Sequence, residues 1–164
     1  NTNGPRRLLA EVYKRNNQSD LEMQILAEHL QYSADDLEAA LRLQELCELQ
    51  KQQESVVELG KSIFAIDPFQ PSALIRTSSA AEALGRTEVA VSALNSLLEI
   101  QRDDAARLHF RMATLLQSVD PEEARRHVLL SLAQAPRFRD AHKLLLQLVP
   151  ETSGNSEFGK ARGY

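Results

Sequence analysis

The sequence predicts an all-α chain built from antiparallel helix hairpins stacked as an α-solenoid, and three observations predict it. Apolar residues recur at helical spacing in nearly every stretch of the 164 residues. Gly and Pro number only 6 each, aromatics are 5% and Trp is absent, too little for the turns and strand faces of an all-β fold. The pattern also repeats along the chain.

The helices follow one another with short breaks. The first is expected from about Pro5 to Arg15. Ser19 with Glu22 reads as a capping box that opens a helix through Tyr32. Ser33, Asp35 and Asp36 open an amphipathic run to Leu49, and a polar turn at Lys51 to Glu54 precedes a run ending at Ile66. The segment Asp67 to Pro71 breaks the chain, because proline fixes φ and disfavours helix in the residue before it. A helix to Leu84 then ends at Gly85, which supplies a left-handed cap, and Thr87 is the expected N-cap of a helix to Ile100. Asp103 and Asp104 start a helix to Gln117. Asp120, Pro121 and Glu123 combine an N-cap, a first-turn proline and a capping-box acid for a helix to Gln134, and after Pro136 a last helix reaches Val149. The count is about nine helices and no strand. Residues 150–164 have no helical period and are expected to form a flexible tail. The start at Asn1, without Met, reads as a piece of a longer chain.

A shift of 34 residues aligns Val56 with Ala90 and Ala124, Phe64 with Leu98 and Leu132, and Ala40 with Leu74 and Leu108. In this period the sequence resembles the tetratricopeptide (TPR) repeat family over three units, 37–70, 71–104 and 105–138. The segment 139–149 is then a capping helix, and 1–36 a degenerate helix pair with Ala10 and Tyr13 where the family has a small residue and a Tyr. The array is divergent: the family's small residue in the first helix corresponds to Gln44, Ser78 and Met112, and its Tyr to Cys47, Ala81 and Leu115. Each hairpin buries its apolar stripe against the next.

The resemblance implies a right-handed superhelix whose first helices line a concave partner-binding groove. Its candidates are Glu38, Leu41 and Glu45 (with Glu48), then Ile75, Ser79 and Glu82 (with Ser72), then His109, Ala113 and Leu116 (with Ala106 and Gln117). The last helix adds Asp140, Lys143 and Gln147. Chaperone-binding members clamp a peptide's terminal carboxylate with basic and amide side chains, and Leu41, Glu45 and Ala106 occupy the matching places, so that clamp is missing. Glu38, Glu45, Glu48 and Glu82 are expected to repel an acidic peptide end, or simply to form a solvated face.

The expected function is a noncatalytic protein–protein interaction or scaffold module binding a protein or peptide. The alternative is the C-terminal positioning domain of a larger bacterial protein, such as a predicted zinc metallopeptidase, with its catalytic residues upstream. No enzyme constellation is visible: His29, His109, His127 and His142 form no i, i+4 pair, and HExxH, CxxC, GxSxG and Gly-rich phosphate loops are absent. No cofactor and no metal is therefore expected, although a regular array would bring His109 near His142 on neighbouring first helices.

The lone Cys47 lies on an apolar stripe and reads as a small buried hydrophobe; a single thiol mildly favours a reducing compartment but assigns no localisation. Phe64 and Phe69 read as packing between repeats, with Phe69 a partner anchor if exposed. A net charge of −4 argues against nucleic acid. It conceals an acidic stretch over 1–104 and a basic one over 105–164 centred on Arg107, Arg111, Arg125, Arg126, Arg137 and Arg139, where Phe110 and Phe138 are too few for base stacking. No run of about 18 apolar residues would insert in a membrane. Nothing in the sequence indicates a homo-oligomer.

Overall fold

The computed structural model of the protein describes residues 4–148. Among the described residues there are nine α-helices and no strand: α1 (Pro5–Arg15), α2 (Ser19–Leu30), α3 (Leu37–Leu49), α4 (Gln53–Ile66), α5 (Pro71–Ala83), α6 (Thr87–Ile100), α7 (Ala105–Leu116), α8 (Pro121–Gln134) and α9 (Arg139–Leu148). The tail expected over 150–164 lies outside the described residues.

The 34-residue period governs the backbone as well as the composition. α3, α5, α7 and α9 begin at Leu37, Pro71, Ala105 and Arg139, while α2, α4, α6 and α8 begin at Ser19, Gln53, Thr87 and Pro121, each set spaced by 34. The hairpin turns repeat too. Asn17, Lys51 and Gly85, again 34 apart, adopt left-handed φ of 54°, 58° and 68°. Glycine takes this conformation freely, Asn tolerates it, and Lys51 holds it at a cost of about 1 kcal/mol.

Three helix starts differ from expectation. Ser19 and Thr87 are the first helical residues rather than caps, with Gln18 and Arg86 before them and no side-chain cap. The physical reason at α2 is that Glu22 does not reach back to the helix start but turns to Arg42. Asp103 and Asp104 fall in a short 3-10 turn, Arg102–Asp104, ahead of α7. Asp36 and Asp120 do cap, accepting from the amides of Ala39 and Glu123 at 3.1 and 3.0 Å.

The chain divides into two compact units, residues 1–108 and 109–164. In the first, α1 packs on α2, α2 on α3, α3 on α4 and α5, α4 on α5, and α5 on α6. Ala40, Ile63 and Ala73 join these helices in one cluster, against which Leu30, Leu37, Leu41 and Phe64 pack. Gln44, where the TPR pattern has a small residue, is fully buried and donates from Nε2 to the Val56 carbonyl (3.1 Å) and Thr77 Oγ1 (3.0 Å), tying α3 to α4 and α5. Gly60 makes room for Thr77, since a methyl group there would collide with its hydroxyl. Cys47 is buried, and burial pushes its thiol pKa up. In the second unit α8 packs on α9, and Ala113, Val128, Ala141 and Leu144 form the core with Phe110, Leu132, Phe138, Leu145 and Leu148 around it.

Candidate partner-binding faces

In the first unit the candidate face is carried by α1, α3 and α5. The short cap at Asp36 starts α3 so that Glu38, Leu41, Glu45 and Glu48 fall on successive turns of one side. One period later Ile75, Ser79 and Glu82 take the same positions on α5. Leu41 is half-buried against the cluster of α3, α4 and α5, and Ile75 is 43% exposed. Two apolar steps therefore stand side by side in sequence-equivalent places.

The acids around those steps are compensated. Arg7 of α1 donates to Glu38 Oε2 at 2.6 Å and to Asp36 Oδ2 at 3.3 Å. Arg42 donates to Glu45 at 2.9 Å, and Arg76 donates to Glu48 at 3.1 Å. Arg42 also grips Glu22, which is 2% exposed, through two bonds of 2.7 and 3.0 Å. A purely solvated row of glutamates does not describe this face: three of the four acids lie against an arginine donated by a first helix. Behind the pairs is a cavity of about 280 Å³ whose charged wall includes Arg7, Lys14, Glu22 and Arg42 and whose apolar floor includes Ala10, Leu26 and Ala39. On the opposite, second-helix side a furrow of about 300 Å³ runs between Phe64 of α4 and Val89 and Ala93 of α6, over Leu74 and Thr77.

His29 completes the polar chain. Its Nε2 lies 2.9 Å from Asp36 Oδ2, so a single carboxylate meets an imidazole, a guanidinium and the α3 amide of Ala39. Burial alone would raise the Asp36 pKa, but these partners together, the His29 hydrogen bond foremost, hold it below its ordinary value.

In the second unit His109 and Ala113 lie on α7, with Leu116 at the end of the helix. Ala113 is fully buried in the core. His109 does not meet His142. Its Nδ1 lies 3.0 Å from Nδ1 of His127, a second-helix residue, while His142 Nε2 lies 2.9 Å from the Pro136 carbonyl oxygen. His127 sits 18 residues after His109, on the other helix of the same hairpin, a separation that a search for i, i+4 pairs does not cover. Phe110 and Phe138 pack with their rings tilted by 51° and ring centres 4.8 Å apart. Phe69, on the turn before α5, is 47% exposed.

Among the described residues no group of three or more His, Cys, Asp or Glu is placed to hold a metal ion, and no helix is long and apolar enough to cross a membrane.

No family model matches the sequence, and no curated protein matches it. Solved structures do. The chain aligns with a crystal structure of MamA at a TM-score of 0.65 and 14% identity, over 87% of this chain and 78% of that one. With MamA from Desulfovibrio magneticus RS-1 the TM-score is 0.61 at 13% identity, over 87% and 81%. With YrrB, described as a TPR protein with an unusual peptide-binding site, it is 0.66 at 12% identity, over 88% and 74%. The chain has the helical-repeat fold of the TPR proteins.

Proposed function

We propose that this chain is a noncatalytic protein-interaction module that holds a peptide or protein segment against its first helices. The observation that carries the reading is the pair Leu41 and Ile75, partly exposed apolar side chains at equivalent places of successive hairpins, on a face where Glu38, Glu45 and Glu48 are already paired with arginines. Such a face loses little by dehydration: the acids keep their arginines, and the two apolar side chains gain about 25 cal/mol for each Å² covered. Glu38, Glu45, Ser79 and Glu82 form the rim. YrrB, of the same fold, has a peptide-binding site by its own description. The replacement of the basic clamp by Leu41, Glu45 and Ala106 argues for an internal segment rather than a free acidic terminus.

The test is a screen of a peptide library against the intact chain, followed by affinity measurement on the selected sequences. Replacing Leu41 and Ile75 together by charged residues should weaken binding at least about tenfold with helicity unchanged, since one buried aliphatic side chain alone is worth that much. Ligands that bind the double variant as tightly as the parent place the site elsewhere.

A further inference from the structure

The contact between His109 and His127 joins two bases. The two Nδ1 atoms are 3.0 Å apart and the ring centres 5.2 Å. A hydrogen bond at that distance needs one N–H and one lone pair, so exactly one proton stands between the rings. Glu123 biases which ring supplies it. Its Oε1 lies 3.5 Å from Nε2 of His127, which favours the proton of that ring on Nε2 and leaves Nδ1 of His127 as the acceptor. His109 then donates through Nδ1–H, and its own Nε2 carries a lone pair.

We propose that His109 and His127 form a proton-gated latch between α7 and α8, closed while the pair carries at most one charge and sprung when both rings are protonated. The proton count is explicit. The neutral pair holds two ring protons, on Nδ1 of His109 and Nε2 of His127. A third enters at Nε2 of His109 and leaves the bond intact, with an imidazolium as its donor. A fourth can enter only at Nδ1 of His127, where it removes the acceptor and sets two N–H groups and two positive charges against each other.

The surroundings oppose that last proton. His127 is 7% exposed. Desolvation is the main cause that lowers the pKa of each ring, joined for His109 by the charge of His127 and for both by Arg126; Glu123 pulls His127 the other way but less strongly. Arg126 is itself 3.1 Å from Glu123, which weakens the carboxylate's hold on a charged His127. On α7, Arg107 pairs with Asp104 at 3.6 Å and Arg111 has a contact of its own, while Glu122 and Arg125 of α8 are exposed. On α9, which packs on α8, Asp140 and Lys143 pair with each other at 3.1 Å and His142 is turned to Pro136. The latch stands independently of the peptide-binding reading.

Two measurements on the intact chain test it. In an NMR titration of the histidine ring nitrogens, the two rings should titrate in separate steps, with chemical-shift changes in α7 and α8 accompanying the second. Two rings that titrate together at the ordinary histidine value overturn the latch. In urea unfolding at pH 7.5 and pH 5, the folded-to-unfolded ratio should fall severalfold more for the wild type than for His127→Leu, because the lowered histidines leave the unfolded chain binding more protons in acid. If His127→Leu does not fold, His109→Asn serves instead, because its amide donates to His127 without ever gaining a charge. A variant that loses stability with acid in parallel with the wild type overturns the proposal.

Discussion

The two units solve the same problem, joining helices across a hairpin boundary, with opposite chemistry. In residues 4–108 the crossings are charged and complementary: Glu22 with Arg42, and Asp36 with His29 and Arg7. In residues 109–148 the core is apolar, Ala113, Val128, Ala141 and Leu144 with the tilted Phe110–Phe138 pair, and the polar crossing from α7 to α8 joins one histidine to another. Opposite charges tolerate a constant environment and fail when one member is removed. A pair of bases survives any single proton and fails when solution conditions supply the next.

The largest difference between the units should appear on truncation. Glu22→Ala strands Arg42 beside a buried, vacated site and should cost about 3 kcal/mol by urea denaturation, the lower end for breaking a buried pair because Arg42 is partly exposed. Replacing both residues by apolar side chains of similar volume should recover much of that loss, which a double-mutant cycle would read as strong coupling. In the second unit Phe138→Ala removes an aromatic contact at a partly buried position and should cost about 2 kcal/mol. No partner substitution should rescue it, because no charge is left behind.

How far this division was legible in sequence differs between fold and site. The helices, their order and the period were legible because each rests on local signals: a proline at Pro71 and Pro121, a glycine at Gly85, an acid cap at Asp36 and Asp120. Where a local signal competed with a tertiary partner, the partner won. Glu22 has the spacing of a capping-box acid after Ser19, but its carboxylate lies against Arg42, 20 residues away. Gln44 looks like a departure from the repeat until Thr77 is placed opposite it, 33 residues on. The arginines that compensate Glu38 and Glu48 are ordinary surface residues in sequence, since the pairing of Arg7 with Glu38 spans 31 positions and that of Arg76 with Glu48 spans 28, whereas Arg42 and Glu45 are an i, i+3 pair on one helix. His109 is legible from its place on a first helix, but its partner is not, because the 34-residue period relates first helices to one another and His127 lies across the hairpin.

Asp36→Ala should come next in size. It removes the cap of α3 and two side-chain partners at once, for about 2 kcal/mol near neutral pH. Asp36→Asn should lose less, because an amide oxygen can still cap Ala39 while the charge facing His29 and Arg7 is gone.

The smallest effect on total stability is also the one that separates the units most cleanly. Asp36 has a folded pKa below its ordinary 3.8, so the stability it contributes is present above that value and is lost only as pH falls through it toward the lower folded pKa. His109 and His127 are depressed from 6.5, so the unfolded chain takes up protons before the folded pair does, and their contribution is complete above 6.5 and declines as pH falls below it. Mild acid should therefore loosen one unit while the other keeps its crossings. Amide hydrogen exchange followed from pH 7.5 to pH 4.5, corrected for intrinsic rates, should show α8 losing about tenfold of its protection while α2 and α3 keep theirs. Equal loss in both sets of helices would mean that the two crossings respond to acid as one, and that the contrast between complementary charges and paired bases has no consequence for stability.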